Sequence, residues 1–415
     1  MKDTPYTKTF PCGLQFAFKR SASPVAYSAL TIKSGTRDEP ALSYGIAHLT
    51  EHMLFKGTEK RRAKEISDRL ERLGGDLNAY TTKEETVIYS TVLKEDTGKA
   101  VDLMMELAFT STFPEKELEK ERHVVIDEIN MYKDSPSECI FDDFEEKLFG
   151  GHVLARSILG DARQLKKISS DDIREYVRSN FIPENMCISI VADISEAKAE
   201  KIACDAIGKY VSKDHVPSPS AGQSISDPLG TTLVFSKEVT KKNHQVNCII
   251  GTGAYSFYDR ERYATILLNN ILGGPSSNSR LNQVLREKNA LVYSVDSSYA
   301  QYRDSGSMMI YFGCDKGNTE RCISLVRAEI RRLQDSVISE SSLKAAKKQL
   351  LGQLAIASDN GENQALSMGK SMTVFGSIMP DEQVRERINS ISAKQLQETA
   401  GIVLNESRLS TLIYK

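Results

Sequence analysis

Residues 45–58 of the chain read GIAHLTEHMLFKGT, and no other stretch constrains the fold and the chemistry of the chain as strongly. The run 44–56 contains no proline and stops at Gly57, so the pattern predicts a helix. His48 and His52 are four residues apart, which places both imidazole rings on one face of that helix. Two imidazoles that share a helix face are candidate metal ligands.

Glu51 lies on the neighbouring line of the same helix, beside the position where the two rings would hold a metal ion. The order H-x-x-E-H is typical of a zinc peptidase helix, in which zinc activates a water molecule and the carboxylate takes its proton. The alternative is a pair of surface histidines beside a glutamate in an ordinary helical salt bridge. Four further residues of the helix are apolar, namely Ile46, Leu49, Met53 and Leu54. They favour the metal site, because polar groups beside a buried face need partners.

The composition excludes several other functions. The 54 basic and 56 acidic residues give a net charge of -2, so no broad field attracts nucleic acid or a membrane surface. The first residues lack the apolar core of a signal peptide, and no stretch approaches the roughly 18 apolar residues of a membrane span. The seven cysteines have no C-x-x-C spacing, which is typical of reduced thiols. We therefore expect a cytoplasmic protein that binds neither nucleic acid nor membranes.

The chain divides into two similar halves at a Ser-, Pro- and Gly-rich seam, residues 211–232. Alternating and helical patterns predict an α+β fold of two similar α/β domains, each a mostly antiparallel sheet packed by helices, related as an internal duplication. The predicted parts are domain 1–212, linker 213–231 and domain 232–415. In the first domain we predict strands at 13–18, 26–33, 86–92 and 186–192 and helices at 63–73, 98–109, 115–132 and 170–180. In the second we predict strands at 245–252, 291–299 and 307–312 and helices at 261–272 and 279–288.

The second half has lost the metal motif. Where the first half has EHMLFKG at 51–57, the second has LNNILGG at 268–274. One metal site per chain follows.

A catalytic zinc typically has three protein ligands and one open position, so a third ligand is missing. The predicted helix ERHVVIDEI, residues 121–129, offers Glu121 and Glu128, which are seven residues apart and share nearly one face. His123 is a competing ligand that points to a different face. The alternative for the two glutamates is the charged edge of an amphipathic helix.

Together these motifs resemble the pitrilysin/insulinase family of inverted zinc endopeptidases, in particular its short two-domain members related to mitochondrial processing peptidase. The family's third ligand is a glutamate some 76 residues beyond the second histidine, in a pattern similar to E-x-x-V-V-x-x-E-I. Glu128 lies 76 residues after His52, so the resemblance implies one Zn2+ per chain on His48, His52 and Glu128. It also implies that Glu121 orients a ligand or the base. Further matches are GGDLNAYT at 74–81 and HVLARSILG at 152–160, the latter departing from the usual H-P-L-G-R-P form.

The resemblance also implies how a substrate is held. In the family the strand after the paired glycines is an exposed sheet edge that adds the substrate as an extra strand, and Asn78, Ala79 and Tyr80 occupy that position. The alternative is an ordinary buried strand, but the polar run 81–85 favours an edge.

Arg286 and Tyr293 match the family's arginine–tyrosine pair, which holds a substrate carbonyl and stabilises the oxyanion. In short relatives this pair comes from a second chain, so the resemblance implies a homodimer with composite sites and a closed chamber for peptides or unfolded segments. Glu138 and Asp142 match acidic residues with which processing peptidases grip a basic residue near the cut. A solvated helix face is the alternative for these two.

The function expected is therefore a zinc metalloendopeptidase with Glu51 as the general base. Two alternatives stay open. One is a non-catalytic scaffold or binding subunit of the same fold, and the other is a half-enzyme that needs a different partner chain.

Overall fold

The computed structural model describes residues 4–217, 230, 232–241 and 244–415. These residues form two compact units, each built from three separate segments of the chain. The first comprises the described residues within Met1–Asn130, Arg156–Gly222 and Ala355–Pro380. The second comprises those within Met131–Ala155, Gln223–Leu354 and Asp381–Lys415. The helices of the described residues are too short or too polar to cross a bilayer.

The strands lie in two sheets. They are β1 Tyr6–Thr9, β2 Gln15–Arg20, β3 Val25–Ile32, β4 Asp76–Thr81, β5 Thr86–Leu93, β6 Met186–Ala192, β7 Ser236–Val239, β8 Val246–Gly253, β9 Val292–Gln301, β10 Gly306–Cys314 and β11 Ser410–Tyr414. The first sheet has the order β1-β2-β6-β3-β5-β4, and the second has the order β7-β11-β8-β10-β9. Both are mostly antiparallel, since among the described strands only β2–β6 and β7–β11 pair in parallel.

The helices are α1 Ile46–Leu54, α2 Ala63–Glu71, α3 Thr97–Thr110, α4 Glu115–Lys133, α5 Pro136–Leu148, α6 Ala162–Leu165, α7 Ser170–Asn180, α8 Glu196–Tyr210, α9 Arg262–Gly273, α10 Thr319–Asp335, α11 Glu340–Ala357, α12 Gly361–Phe375, α13 Asp381–Ser390 and α14 Ala393–Val403. A π-helical turn, Asn282–Glu287, ends just before β9.

The first sheet is covered on both faces, which its central strand β6 shows most clearly. All of β6 is buried. Because side chains alternate along a strand, Ile188 and Ile190 point into the main core of the first unit. Cys187 and Val191 point to the opposite face, where they pack against Ala365, Met368 and Met372 of α12.

The second unit has a comparable arrangement. Ile140 and Phe144 of α5 are fully buried against Leu412 and Tyr414 of β11. The carboxylate of Glu145, also on α5, accepts hydrogen bonds from the hydroxyls of Tyr302 at 2.8 Å and Ser307 at 2.9 Å. These contacts fix α5 on its sheet.

The predicted fold class is confirmed: two similar domains each combine a mostly antiparallel sheet with helices. The domain boundaries stay a prediction, and most of the predicted linker lies outside the described residues. Several elements match the sequence pattern closely, including strand 186–192 and helix 170–180. The predicted helix at 279–288 is the π-helical turn in its central part.

Candidate metal centre

Helix α1 begins at a tight contact between two glycines. Gly45 has a φ of 97° and lies next to Gly160, which has a φ of 78°. A Cβ atom on Gly160 would lie 2.3 Å from the Gly45 Cα, so neither position accommodates a side chain without movement. Since positive φ is also strained for other residues, this contact requires glycine twice. It connects the segment 152–160 to the first residues of the helix that carries both histidines.

A carboxylate caps the same helix. The Oε1 atom of Glu39 accepts hydrogen bonds from the backbone N–H groups of Gly45 and Ala47, both at 3.0 Å. Backbone N–H groups in the first turn have no partner inside the helix, so this carboxylate satisfies them. Burial raises the pKa of Glu39 to about 8.

The two histidine rings lie on consecutive turns of α1 with their centroids 4.7 Å apart. The Glu128 Oε2 atom, on α4, lies 3.8 Å from the His48 Nε2 and 3.7 Å from the His52 Nε2. The three ligand atoms all lie within 4.8 Å of one another. In a tetrahedral zinc site with bonds of about 2.0–2.1 Å, donor atoms lie about 3.3 Å apart. The Glu128 oxygen lies about half an ångström farther than this from each histidine nitrogen, and the widest separation in the cluster must shorten by up to about 1.5 Å. The residues present therefore fit a zinc ion once their side chains close in by that amount.

The protonation of the histidines also fits a metal. The His52 Nδ1 lies 3.2 Å from the Glu121 Oε2. In the neutral imidazole that donates its Nδ1–H hydrogen bond to this carboxylate, the lone pair is on Nε2 and is directed at the site. Burial, together with the charge of His52, lowers the pKa of His48 to about 4. His48 is thus neutral at physiological pH, the form that binds metal.

Glu51 lies in a position suited to a base. Burial raises its pKa, the Glu128 charge adds to that rise, and the Thr81 hydroxyl and His52 oppose it. Within the described part of the chain, its Oε2 atom is buried and has no hydrogen-bond partner. A raised pKa brings a carboxylate nearer to the working range of a general base at neutral pH.

The structure bears on two alternatives that the sequence left open, His123 as a ligand and a charged helix edge that includes Glu121. The His123 side chain is 74 % exposed and lies 3.6 Å from Glu119, so it is not part of the cluster. Within the described residues, no other group of three His, Cys, Asp or Glu side chains has ligand atoms close enough to hold a metal. Glu121 is only 8 % exposed and faces His52, which a charged helix edge would not do.

The predicted substrate strand is an edge strand. β4 is the last strand of its sheet and pairs with β5 through Asn78 opposite Tyr89 and Tyr80 opposite Val87. Asn78 is exposed, and Ala79 and Tyr80 are half-buried. Thr81, the last residue of β4, lies beside Glu51. The sequence pattern misses this proximity, although Thr81 directly follows the predicted substrate strand.

The remaining candidates belong to the second unit. Arg286 lies in the π-helical turn and is exposed. Tyr293 is near the start of β9, and its hydroxyl donates a hydrogen bond to the Asp315 Oδ1 at 3.0 Å. Glu138 and Asp142 lie on α5, where Glu138 is exposed and Asp142 is half-buried.

The fold is shared with solved structures. A protease from Helicobacter pylori superimposes with a TM-score of 0.87, covers 99% of both chains and is 19% identical. The structure of a peptidase M16 inactive domain from Pseudomonas fluorescens superimposes with a TM-score of 0.88 and 20% identity, and it covers 99% of this chain and 97% of its own.

Sequence comparison gives the family. An uncharacterized zinc protease of Rickettsia bellii is 31% identical over 385 residues, which are 92% of this chain and 91% of the relative. The uncharacterized zinc protease YmxG of Bacillus subtilis is 30% identical over 382 residues, again 92% and 91%. The family model "Insulinase (Peptidase family M16)" matches residues 15–162, and "Peptidase M16 inactive domain" matches residues 167–350. On these grounds the chain belongs to the insulinase family of peptidases, peptidase family M16.

Proposed function

We propose that this chain is a zinc-dependent endopeptidase that hydrolyses peptides or unfolded segments, with one zinc ion per chain. One observation carries the proposal: the ligand atoms of His48, His52 and Glu128 converge within 4.8 Å beside the buried carboxylate of Glu51. The relatives named as zinc proteases support the same activity.

Each residue has a distinct task in this proposal. Zinc bound by the two histidines and Glu128 would supply a polarised water molecule with a pKa lowered towards about 7. Glu51 accepts a proton from that water and later returns it to the leaving amine. Its raised pKa suits both transfers, because a group that must take and give a proton works best near the ambient pH.

The exposed edge of β4 is the proposed place for the substrate backbone. A peptide added there as an extra strand is held through main-chain hydrogen bonds, which tolerate varied sequences. Asn78, Ala79 and Tyr80 form this edge, and Thr81 at its end lies beside Glu51. Strand addition along β4 would therefore lead a peptide towards the base.

The oxyanion pair completes the proposal. Arg286 would hold a substrate carbonyl, and the Tyr293 hydroxyl would donate to the developing oxyanion. We infer that a second copy of the chain supplies this pair, which makes a homodimer with two composite sites and an enclosed chamber. Tyr293 must release Asp315, its partner in this structure, before it can donate to a substrate.

The last part of the proposal is a preference for basic residues. Glu138 and Asp142 are four residues apart on α5 and share a helix face. We propose that they favour peptides with Arg or Lys close to the scissile bond. The preference is mild, since exposed ion pairs contribute at most about 1 kcal/mol.

One experiment on purified protein tests the proposal. Size-exclusion chromatography, zinc analysis and a quenched-peptide assay are applied to the same sample. We expect a homodimer with one zinc per chain that cleaves peptides, and Glu51→Gln is expected to keep the zinc and lose most turnover.

Other results would contradict this. Zinc-loaded protein that cleaves none of a varied peptide library would indicate a scaffold or binding subunit. Activity that appears only with a different chain would indicate a half-enzyme. A Glu51→Gln variant with parental turnover would remove Glu51 from the role of base.

A further inference from the structure

The metal centre includes a residue that the catalytic scheme does not use. Lys56 lies just beyond the end of α1, four residues after His52, and its Nζ atom lies 2.7 Å from the Glu121 Oε1. The other oxygen of Glu121 lies 3.2 Å from the His52 Nδ1. Lys56, Glu121 and His52 therefore form one continuous chain of polar contacts that ends at a candidate ligand.

The contacts follow from two rows of side chains, each on one face of a helix. On α1 and the turn after it, His48, His52 and Lys56 are spaced by four and share a face. On α4, Glu121 and Glu128 are spaced by seven and share a face as well. Glu128 faces both histidines, whereas Glu121 faces His52 and Lys56. The two rows of side chains therefore run in opposite directions, and Lys56 is the last residue of its row.

Lys56 is the positive partner of the buried Glu121 carboxylate. The Glu121 side chain is 10% exposed, and a carboxylate removed from water needs a close positive partner. Lys56 supplies it through a short charge-assisted hydrogen bond. With Oε1 held by Lys56, the second oxygen of Glu121 remains directed at the His52 ring.

We propose that Lys56 is a positioning residue for the metal centre: by fixing Glu121, it fixes the orientation of the His52 ring and strengthens zinc binding. This inference rests on the metal site of the proposed function. It differs from the contribution of any cation near a helix C-terminus, because it acts through the contact of Glu121 with His52.

Zinc affinity, measured on the full chain by competition with a chelator, tests the proposal. Outer partners of metal ligands typically contribute 10–100-fold to metal affinity, so Glu121→Ala is expected to weaken zinc by about that factor. Lys56→Met acts one contact further out and is expected to weaken zinc about 3- to 10-fold. Lys56→Arg keeps a donor for Glu121 and is expected to restore affinity to within about twofold of the parent.

Lys120 offers a matched control. It lies on α4 next to Glu121 and pairs with Glu117 at 2.8 Å, but its partner contacts neither histidine. Lys120→Met removes the same charge from a more exposed pair and is expected to leave zinc affinity unchanged. Thermal unfolding of each zinc-free variant separates a loss of fold from a loss of metal binding.

The double variant Lys56→Met/Glu121→Ala gives the sharpest result. If Lys56 acts through Glu121, its substitution costs no further affinity once Glu121 is absent. An equal loss in both backgrounds would overturn the proposal, and so would parental affinity in Lys56→Met. Parental protein that binds no zinc would instead refute the proposed metallopeptidase, so the two failures are distinguishable.

Discussion

The carboxyl oxygen Oε1 of Glu39 accepts a hydrogen bond at 3.0 Å from the backbone N–H of Ala47, the residue immediately before the first metal-ligand candidate. Burial holds the pKa of Glu39 at about 8, far above its usual 4.5. Between these values the unfolded chain has released a proton that the folded protein retains. The folded state therefore loses stability relative to the unfolded state as pH rises, by at most about 1.4 kcal/mol per pH unit.

Glu39→Gln should remove this dependence. A neutral amide keeps an acceptor for Ala47 but has no proton to release, so the variant gains stability relative to the parent from about pH 4.5 to pH 8. Unfolding midpoints at several pH values measure the difference. Glu65→Gln is the control, because it removes an exposed carboxylate from the start of a helix. Glu65 caps the exposed start of α2. Parallel pH profiles for the parent and Glu39→Gln would refute the prediction.

His48→Ala is expected to bind zinc at well below one ion per chain, because a catalytic zinc site has only three protein ligands. His123→Ala is the matched control: it removes a histidine that is 74 % exposed and is not part of the cluster, so zinc should remain stoichiometric. Metal analysis after dialysis against a weak chelator measures both. Stoichiometric zinc in His48→Ala would exclude this set of ligands.

Tyr293→Phe is expected to lower kcat about 100-fold while zinc content stays unchanged, since the loss of one oxyanion donor costs that order of rate. Tyr299→Phe is a suitable control, because Tyr299 lies on the same strand and donates to the backbone oxygen of Tyr255. Steady-state kinetics with a quenched peptide separates kcat from KM. An unchanged kcat in Tyr293→Phe would show that the Tyr293 hydroxyl does not stabilise the oxyanion.

Local patterns in the sequence predict those elements whose boundaries are encoded in their own residues. Helix α7 matches its prediction because Ser169 and Asp172 form a capping box at its start. Strand β6 matches because it is an uninterrupted apolar run. Helical spacing likewise places His48 beside His52 and Glu121 on the face of Glu128. The choice of Glu128 as third ligand comes from the resemblance to the insulinase family, because spacing within one helix does not show which other helix lies opposite.

The sequence does not predict which helix packs on which sheet when the two are far apart in the chain. Helix α12 packs on the first sheet although it follows β10 and α11 in the chain, and α5 packs on the second sheet although it precedes it. An apolar helix face shows that a helix docks, but not on which of two similar sheets. The contact of Lys56 with Glu121 was missed for a related reason: its spacing after His52 was visible, but its partner lies on another helix.

Gly369 provides a direct test of how α12 docks. A Cβ atom there would lie 2.2 Å from the Oγ1 of Thr31, which is fully buried on β3. Gly369→Ala should therefore destabilise the protein by about 1–3 kcal/mol, because crowding in a packed core outweighs the gain in helix propensity. Gly352→Ala is the matched control in α11, where a Cβ atom meets nothing within 4 Å, and it should stabilise by up to about 1 kcal/mol. Unfolding followed by circular dichroism measures both, since the chain has no tryptophan. Equal shifts in the same direction would show that α12 is not in close contact with β3.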